Sequence, residues 1–378
     1  MCLTTAGESH GKALVAIIEG LPAHLAVDIE KINAALSLRQ KGYGRGARQR
    51  IEKDEADILS GVRNGETLGS PVTLCIYNKD YDNWSSVMSA SGCDPIQTAE
   101  KRLTKVRPGH ADLAGMQKFE QTDGRNVLER ASARETAIRV AAGELYRAYL
   151  AALGVEIAGY VVEVCGIKDE GMYAFNELSR AKDTQLGMLD SEKETLAKAK
   201  IDTLKKTGDT AGGVVEIRVK GLKSGFGSCM SYGEKLDARL AQGLMSIQAV
   251  KGVEVGAGFA LASVSGRSAH DEIYYGENGF YRPTNRAGGI EGGMSNGEEI
   301  VLRLAMKPIP TLAVGLQTVD YDTKEPAMAA AERADTCAIF AIERVAEAVV
   351  AQVLAETVAQ RLGGDTMSQV QKRYNELP

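Results

Sequence analysis

Ser132–Leu153 reads SARETAIRVAAGELYRAYLAAL, a run of Ala, Leu, Arg and Glu that predicts one long helix. Ser132 stands where an N-cap belongs, and Glu135 three residues on gives the sequence form of a capping box. Two further helices are expected at Leu236–Val250 and Arg333–Leu354, where apolar residues recur every three or four positions. Around them lie short β-branched runs that predict strands: Leu14–Glu19, Pro71–Tyr77, Glu156–Val164, Gly212–Val219, Val253–Val264, Glu299–Met306 and Thr311–Val319. Lys307-Pro308-Ile309-Pro310 separates the last two, because paired prolines force an extended turn. Strands and helices interleave without strict βαβ alternation. The expected architecture is therefore α/β of the α+β type, with sheets packed on helices in one large domain over 1–378. Phe175–Lys206 is highly charged and short of large apolar residues, and predicts a solvated helical excursion without chemistry.

At 378 residues, 44% hydrophobic and 25% charged, the chain has the composition of a soluble globular protein with a sizeable core. A net charge of −5 argues against general nucleic-acid binding, which needs a basic field. The cations are nevertheless clustered. Arg39, Lys41, Arg45, Arg48 and Arg50 share one acid-free stretch, and Lys101, Arg102, Lys105 and Arg107 run into His110. An acidic protein with two local basic loops suits a small polyanion. The six cysteines show neither CxxC nor Cys/His ligand spacing, so reduced thiols, a cytoplasmic location and no metal site are expected. No basic n-region precedes the first apolar run, and Glu343, Arg344 and Glu347 interrupt the longest one. Neither a secretory signal nor a membrane span is expected.

Two of the four histidines sit in knots of glycine and charge: Gly7-Glu8-Ser9-His10-Gly11 and Arg107-Pro108-Gly109-His110-Ala111-Asp112. Imidazole exchanges a proton near neutral pH, an adjacent glycine admits a ligand, and an arginine holds an anion. His24 and His270 lack such neighbours and read as surface or packing residues. Gly42-Tyr43-Gly44-Arg45-Gly46 reads either as a mobile surface loop or as an anion-binding one; without Gly-Lys-Ser/Thr it is no P-loop. Arg130–Thr136 offers an arginine at a helix start, which is an anion site or an ordinary cap. Five glycines in Gly288–Gly297 make a hairpin connection or a backbone laid against a flat ligand. Asp335, just ahead of the last helix, reads as an N-cap.

Nine segments in order resemble chorismate synthases along almost the whole chain: GESHG (7–11), RQKGYGRG (39–46), RPGHAD (107–112), SARET (132–136), KLDARLAQ (235–242), SIQAVKGVEVGAGF (246–259), GGIEGGMSNG (288–297), MKPIPTL (306–312) and ERADT (332–336). The resemblance implies a large β-α-β sandwich with sheets around central helices, assembled as a homotetramer. It implies a shikimate-pathway lyase that eliminates phosphate from 5-enolpyruvylshikimate 3-phosphate, trans-1,4, with reduced FMN that is not consumed overall. It assigns His110 to the leaving phosphate, His10 to protonation of the reduced flavin, and Asp335 to assistance at flavin N5. Arg130, Ala131, Ser132, Gln248, Ala249, Gly292, Lys307, Pro308, Ile309, Pro310, Thr311 and Arg333 would line the FMN site. Arg39, Arg45, Arg48, Arg107 and Arg134 would grip the substrate or NADPH.

Ala131, Gln248 and Thr336 depart from the residues common in that family, as does the opening Cys2-Leu3-Thr4-Thr5. A lost hydroxyl at 131 would weaken flavin phosphate binding by about 1 kcal/mol. Two competing readings are an inactive flavin-binding relative and a general phosphoanion binder. The presence of His10, His110 and Asp335 weighs against the first, and the glycine-rich Gly288–Gly297 segment against the second. Whether NADPH reduces the flavin on this chain or a separate flavin reductase does so is not written in the sequence. The expected partner is otherwise a small-molecule substrate.

Overall fold

A computed structural model describes residues 1–46, 53–277, 279–330 and 335–378. The chain opens with β1 (Cys2–Ala6), β2 (Ala13–Glu19) and α1 (Ile29–Gln40), then β3 (Asp57–Ser60), the hairpin β4–β5 (Val62–Arg63, Glu66–Thr67) and β6 (Val72–Tyr77). Short helices α2 (Pro95–Lys101), α3 (Asp112–Lys118) and α4 (Arg125–Ala131) lead into the long α5 (Thr136–Ala151). Next come β7 (Glu156–Val164), β8 (Ile167–Lys168), α6 (Ser191–Thr207), β9 (Gly213–Lys220), α7 (Leu236–Met245) and β10 (Val250–Val255). After α8 (Gly266–Ala269) and two hairpins, β11–β12 (Tyr274–Gly276, Gly279–Tyr281) and β13–β14 (Ile290–Glu291, Met294–Ser295), β15 spans Ile300–Met306. The hairpin β16–β17 (Gln317–Val319, Pro326–Met328), α9 (Ile339–Leu362) and α10 (Met367–Asn375) complete the chain.

Two antiparallel sheets form the outer layers, in strand order β1-β2-β6-β3 and β10-β15-β9-β7-β8. Alternation dictates their inner faces. Leu14, Ala16 and Ile18 pair with Ile76, Leu74 and Val72, and all are buried. In the second sheet Ile300, Leu302 and Leu304 pair with Val219, Ile217 and Val215 in the same way. Between the sheets lie helices: α5 packs on β2 and β6, and α9 on β7 and β9. α9 is apolar nearly all round, which suits a helix enclosed by α1, α5, α7 and a sheet. α5 and α9 approach closely because Gly143 has no side chain; a Cβ there would lie 2.4 Å from that of Ala348. The mixed fold expected from the strand and helix pattern is the one observed. Among the described residues, no helix is long and apolar enough to cross a membrane.

Several boundaries differ from expectation, each for a local reason. The helix expected from Ser132 is broken there: α4 ends at Ala131, a 3-10 turn spans Ala133–Glu135, and α5 starts at Thr136. Ser132 does cap, its Oγ accepting from Arg134 N at 3.3 Å. Glu135 makes no capping box, because its buried carboxylate accepts instead from Thr5 Oγ1 and Gln248 Nε2. The strand expected over Val253–Val264 stops at Val255, where Gly256 (φ 60°) turns the chain into a 3-10 segment. That expected over Thr311–Val319 survives only as Gln317–Val319, and α7 ends at Met245 rather than Val250. α9 starts at Ile339, six residues later than expected, and runs on to Leu362. The charged excursion is not merely solvated: Leu178, Ala181, Ala197 and Ile201 are buried where its 3-10 segment covers β7 and α6 covers β8.

Candidate active site

The turn between β1 and β2 carries His10. Gly7 sits at φ 112°, where a Cβ would lie 2.4 Å from Ala13 O, so only glycine fits this reversal. The turn docks on α4: Ser9 N donates to Glu129 O at 2.9 Å and His10 N to Glu129 Oε2 at 2.8 Å. His10 Nδ1 then lies 2.9 and 3.0 Å from the two oxygens of the same carboxylate. Arg125, one helical turn back, grips Glu129 Oε1 at 3.1 Å. Burial works to raise the Glu129 carboxyl, but the hydrogen bonds and charge of His10, with Arg125, prevail and hold it below the usual value. An ionised carboxylate only accepts, so Nδ1 carries the proton between them.

His110 repeats this arrangement on a different scaffold. Its Nδ1 lies 2.5 Å from Asp112 Oδ1 at the start of α3. Arg107 clasps the same carboxylate through N (3.1 Å), Nε (2.8 Å) and Nη2 (3.0 Å). Arg107 Nη2 is also 3.1 Å from His110 Nδ1, but a guanidinium has no lone pair to offer. Because Asp112 is ionised and only accepts, the 2.5 Å contact is an Nδ1–H donated to its carboxylate. Burial opposes ionisation of Asp112, yet the bonds from His110 and Arg107 bring its carboxyl far below the usual carboxylate range.

A third cluster carries the surplus positive charge. Arg134 donates to Asp54 Oδ2 at 2.6 Å and to Asn78 Oδ1, while Asn78 Nδ2 donates to the carbonyls of Glu8 and Gly11 beside His10. Arg39, at the end of α1, donates to Thr136 Oγ1 and Ala133 O and lies 3.7 Å from Asp54. Arg45 pairs with Asp335 at 3.1 Å, and Gly46 N donates to the other Asp335 oxygen at 2.6 Å. Asp335 is thus a loop partner rather than the expected cap; Ala338 precedes α9. Burial is the main cause that brings Arg39 down to about 10. Asp54 opposes the fall, and the neighbouring Arg45 and Arg134 add to it. Three guanidiniums against two carboxylates make a place where an anion is welcome.

The flavin-implied segments are joined to these clusters by a chain of bonds. Arg130 donates to Thr5 and Gly7, and Ser132 Oγ to Ser9 Oγ. Gln248 Nε2 donates to Glu135, Lys307 N to Ala249 O, and Lys307 Nζ to Gly109 O beside His110. Pro310 lies against Gly109, Thr311 Oγ1 accepts from Arg107, and Ile309 O accepts from Thr210. Ala211 N donates to Thr336 O, and Thr336 N to Gly44 O, which returns to Arg45. Gly292 stands apart. Its hairpin is tied to Gly227 and Leu236, at the end of β15 away from Lys307 and the end of α7 away from Gln248. Those elements span roughly 20 and 15 Å, so one chain does not bring Gly292 to the others. Arg48 and Arg333 lie outside the described residues. His24 is an exposed turn residue bonded to Glu66, and His270 is exposed.

Comparison with known proteins places the chain in a family. The chorismate synthase family profile matches residues 1–359. The chain is 54% identical to a chorismate synthase of Geobacter sulfurreducens, covering 98% of this chain and 96% of that one. It is 52% identical to one of Caldicellulosiruptor bescii, covering 98% of each. A solved chorismate synthase crystal structure superposes with a TM-score of 0.79 at 38% identity, covering 99% of this chain and 96% of the other. The family profile and these relatives define a lyase. The chain belongs to the chorismate synthase family, whose activity is formation of chorismate in the shikimate pathway.

Sequence reasoning missed Glu129, Arg125, Asp54 and Asn78, and gave Glu135 only a capping role. Only Arg125 and Glu129 left a signal, an i,i+4 pair on α4, and it reads as an ordinary surface bridge.

Proposed function

We propose that this chain eliminates phosphate from 5-enolpyruvylshikimate 3-phosphate, breaking the C3–O and C6–H bonds, with reduced FMN as cofactor. The observation that carries the reading is two imidazoles, each backed by an arginine-held carboxylate, with a cluster of more guanidiniums than carboxylates that Asn78 joins to the His10 turn. A loss of phosphate needs positive charge and a proton donor at the leaving oxygen. His110 and Arg107 meet that need. Arg39, Arg45 and Arg134 bind the substrate's phosphate and carboxylates. Asp335 moves the proton taken from C6, and His10 keeps the cofactor's protonation state.

The residues present fit a flavin. Gln248 Oε1 is buried without a hydrogen-bond partner among the described residues, an acceptor that the imide N–H of an isoalloxazine would satisfy. Gln248, Ala249, Arg130, Ala131, Ser132 and Lys307–Thr311 would hold it, with Arg333 and, from its separate hairpin, Gly292. When bound, reduced FMN supplies an electron-rich ring to the elimination.

The protein would work as a cytoplasmic homotetramer, each chain one domain. Aerobic turnover with FMN and NADPH, no reductase added, distinguishes a chain that accepts hydride from NADPH from one served by a separate reductase. For the central reading, His110→Ala should lower turnover by roughly 10²–10⁴-fold with FMN affinity unchanged. Wild-type turnover would remove His110 from the chemistry.

A further inference from the structure

We propose that Glu129 and Trp84 are positioning residues for His10, which together lock its ring and commit its Nδ1, so that proton exchange falls to Nε2. The inference rests on the role given to His10 above and extends it to two residues that touch neither substrate nor cofactor in that reading. Glu129 fixes rotation within the ring plane: one buried carboxylate takes both the backbone N–H and the Nδ1–H of His10. Trp84 fixes the plane itself. Its indole stacks on the imidazole with centroids 4.0 Å apart and an interplanar angle of 29°. The indole is in turn held by a bond from Nε1 to Asp80 at 3.1 Å. Arg125 serves both partners, gripping Glu129 at 3.1 Å and lying 5.0 Å from the Trp84 ring centroid. Lys101 Nζ covers the same ring at 4.9 Å.

An imidazole held only by its backbone would sample several χ2 orientations and both tautomers. Here a flipped ring would place a carbon against an ionised, buried carboxylate and leave that carboxylate short of a donor. The charged groups facing the His10–Trp84 pair are Glu129 and Arg125 from α4, Lys101 from α2, and Asp80. Of these four, Glu129 is the one bonded to the imidazole, so it sets which ring nitrogen carries the proton towards α4 and adds its charge directly.

Trp84 is the one tryptophan of the chain, and it supplies its own readout. Imidazolium quenches a stacked indole more than neutral imidazole does, so its emission follows the protonation of His10 in the intact protein with no cofactor added. The wild type should show one emission transition with pH, absent in His10→Asn and retained in His110→Asn. Glu129→Gln should move its midpoint away from the wild-type value, because the ring loses its charged partner. The same variant should lower kcat roughly 10–100-fold while KM for the phosphorylated substrate stays within about twofold. Glu129→Asp should recover part of both, and Trp84→Phe should retain more kcat than Trp84→Ala. A wild-type midpoint in Glu129→Gln, or a loss shared equally between kcat and KM, overturns the proposal. Wild-type turnover by His10→Asn would instead defeat the catalytic role given to His10, while the emission arm still decides whether Glu129 holds the ring.

Discussion

Asp112→Asn isolates what the His110 arrangement costs and provides. Asp112 is fully buried and accepts from Arg107 N, Nε and Nη2 and from His110 Nδ1. Asparagine keeps one carbonyl oxygen, but its NH₂ must face a guanidinium or an imidazole N–H, donor against donor. The Arg107 side chain, 3% exposed, loses its counter-charge without gaining access to water. Removing one partner of a buried ion pair costs about 3–5 kcal/mol. For a chain of 378 residues the unfolding entropy is about 0.8 kcal/mol/K, so Tm should fall by about 4–6 °C.

The pH dependence follows from the sign of the shift. Asp112 is depressed in the fold, so its stabilisation is fully present above the unfolded aspartate value near 4. It is lost only as pH falls from there through the much lower folded value. Melting of both proteins at equal concentration should therefore show a gap that persists from pH 8 to 5 and narrows below about pH 4. Melting of the variant within about 1 °C of wild type, or a gap that closes between pH 8 and 5, refutes the reasoning.

Arg45→Ala should weaken substrate binding in a way that grows at low salt and leave Asp335 without its partner; an unchanged KM across ionic strength would contradict this. Gly143→Ala should cost about 1–3 kcal/mol by denaturant midpoint despite alanine's better helix propensity, because its Cβ would meet Ala348 at 2.4 Å. An unchanged or higher midpoint would show that α5 and α9 can part without loss. Burial raises the Glu343 carboxyl well above its ordinary value, so the unfolded chain ionises first and wild-type stability falls as pH rises through the ordinary glutamate range. Glu343→Gln should therefore compare more favourably with wild type at pH 8 than at pH 5, and denaturant midpoints showing the reverse order would sink that account.

Much of the fold was legible because its signals are local. Glu156–Val164 was expected to the residue, and β2, β6, β9 and β15 to within one or two. The failures came where a side chain is used at long range. Ser132 and Glu135 have the spacing of a capping box, but Glu135 is drawn off by Thr5 and Gln248, residues 130 and 113 positions away. Asp54 and Asn78 lie 80 and 56 positions from the Arg134 they hold, and nothing in their own neighbourhoods marks them. The histidines were visible because glycine and arginine flank them in sequence. Their carboxylates differed: Asp112 lies two residues from His110 within a quoted motif, whereas Glu129 is 119 positions from His10. Gly292 is the opposite case, a segment grouped by resemblance that this chain places at the far end of β15 from Lys307.

The same physical device is built twice, and its charge balance explains why an acidic protein uses it. A carboxylate buried beside a neutral imidazole would be driven towards protonation by desolvation, and would then donate to the ring rather than accept from it. The histidine's own bonds and charge, with the arginine behind it, prevent this: His10 with Arg125, and His110 with Arg107, keep Glu129 and Asp112 ionised despite burial. With the ring neutral each group of three carries no net charge, and with the ring protonated it carries one positive charge. Buried charge is thus held to a minimum until a proton is present. Under the proposed function, an anion drawn in by Arg39, Arg45 and Arg134 would favour a charged ring where a proton donor is needed. On this argument an arginine-to-lysine change at 107 is not conservative, because a single ammonium cannot replace the fork that meets both Asp112 oxygens.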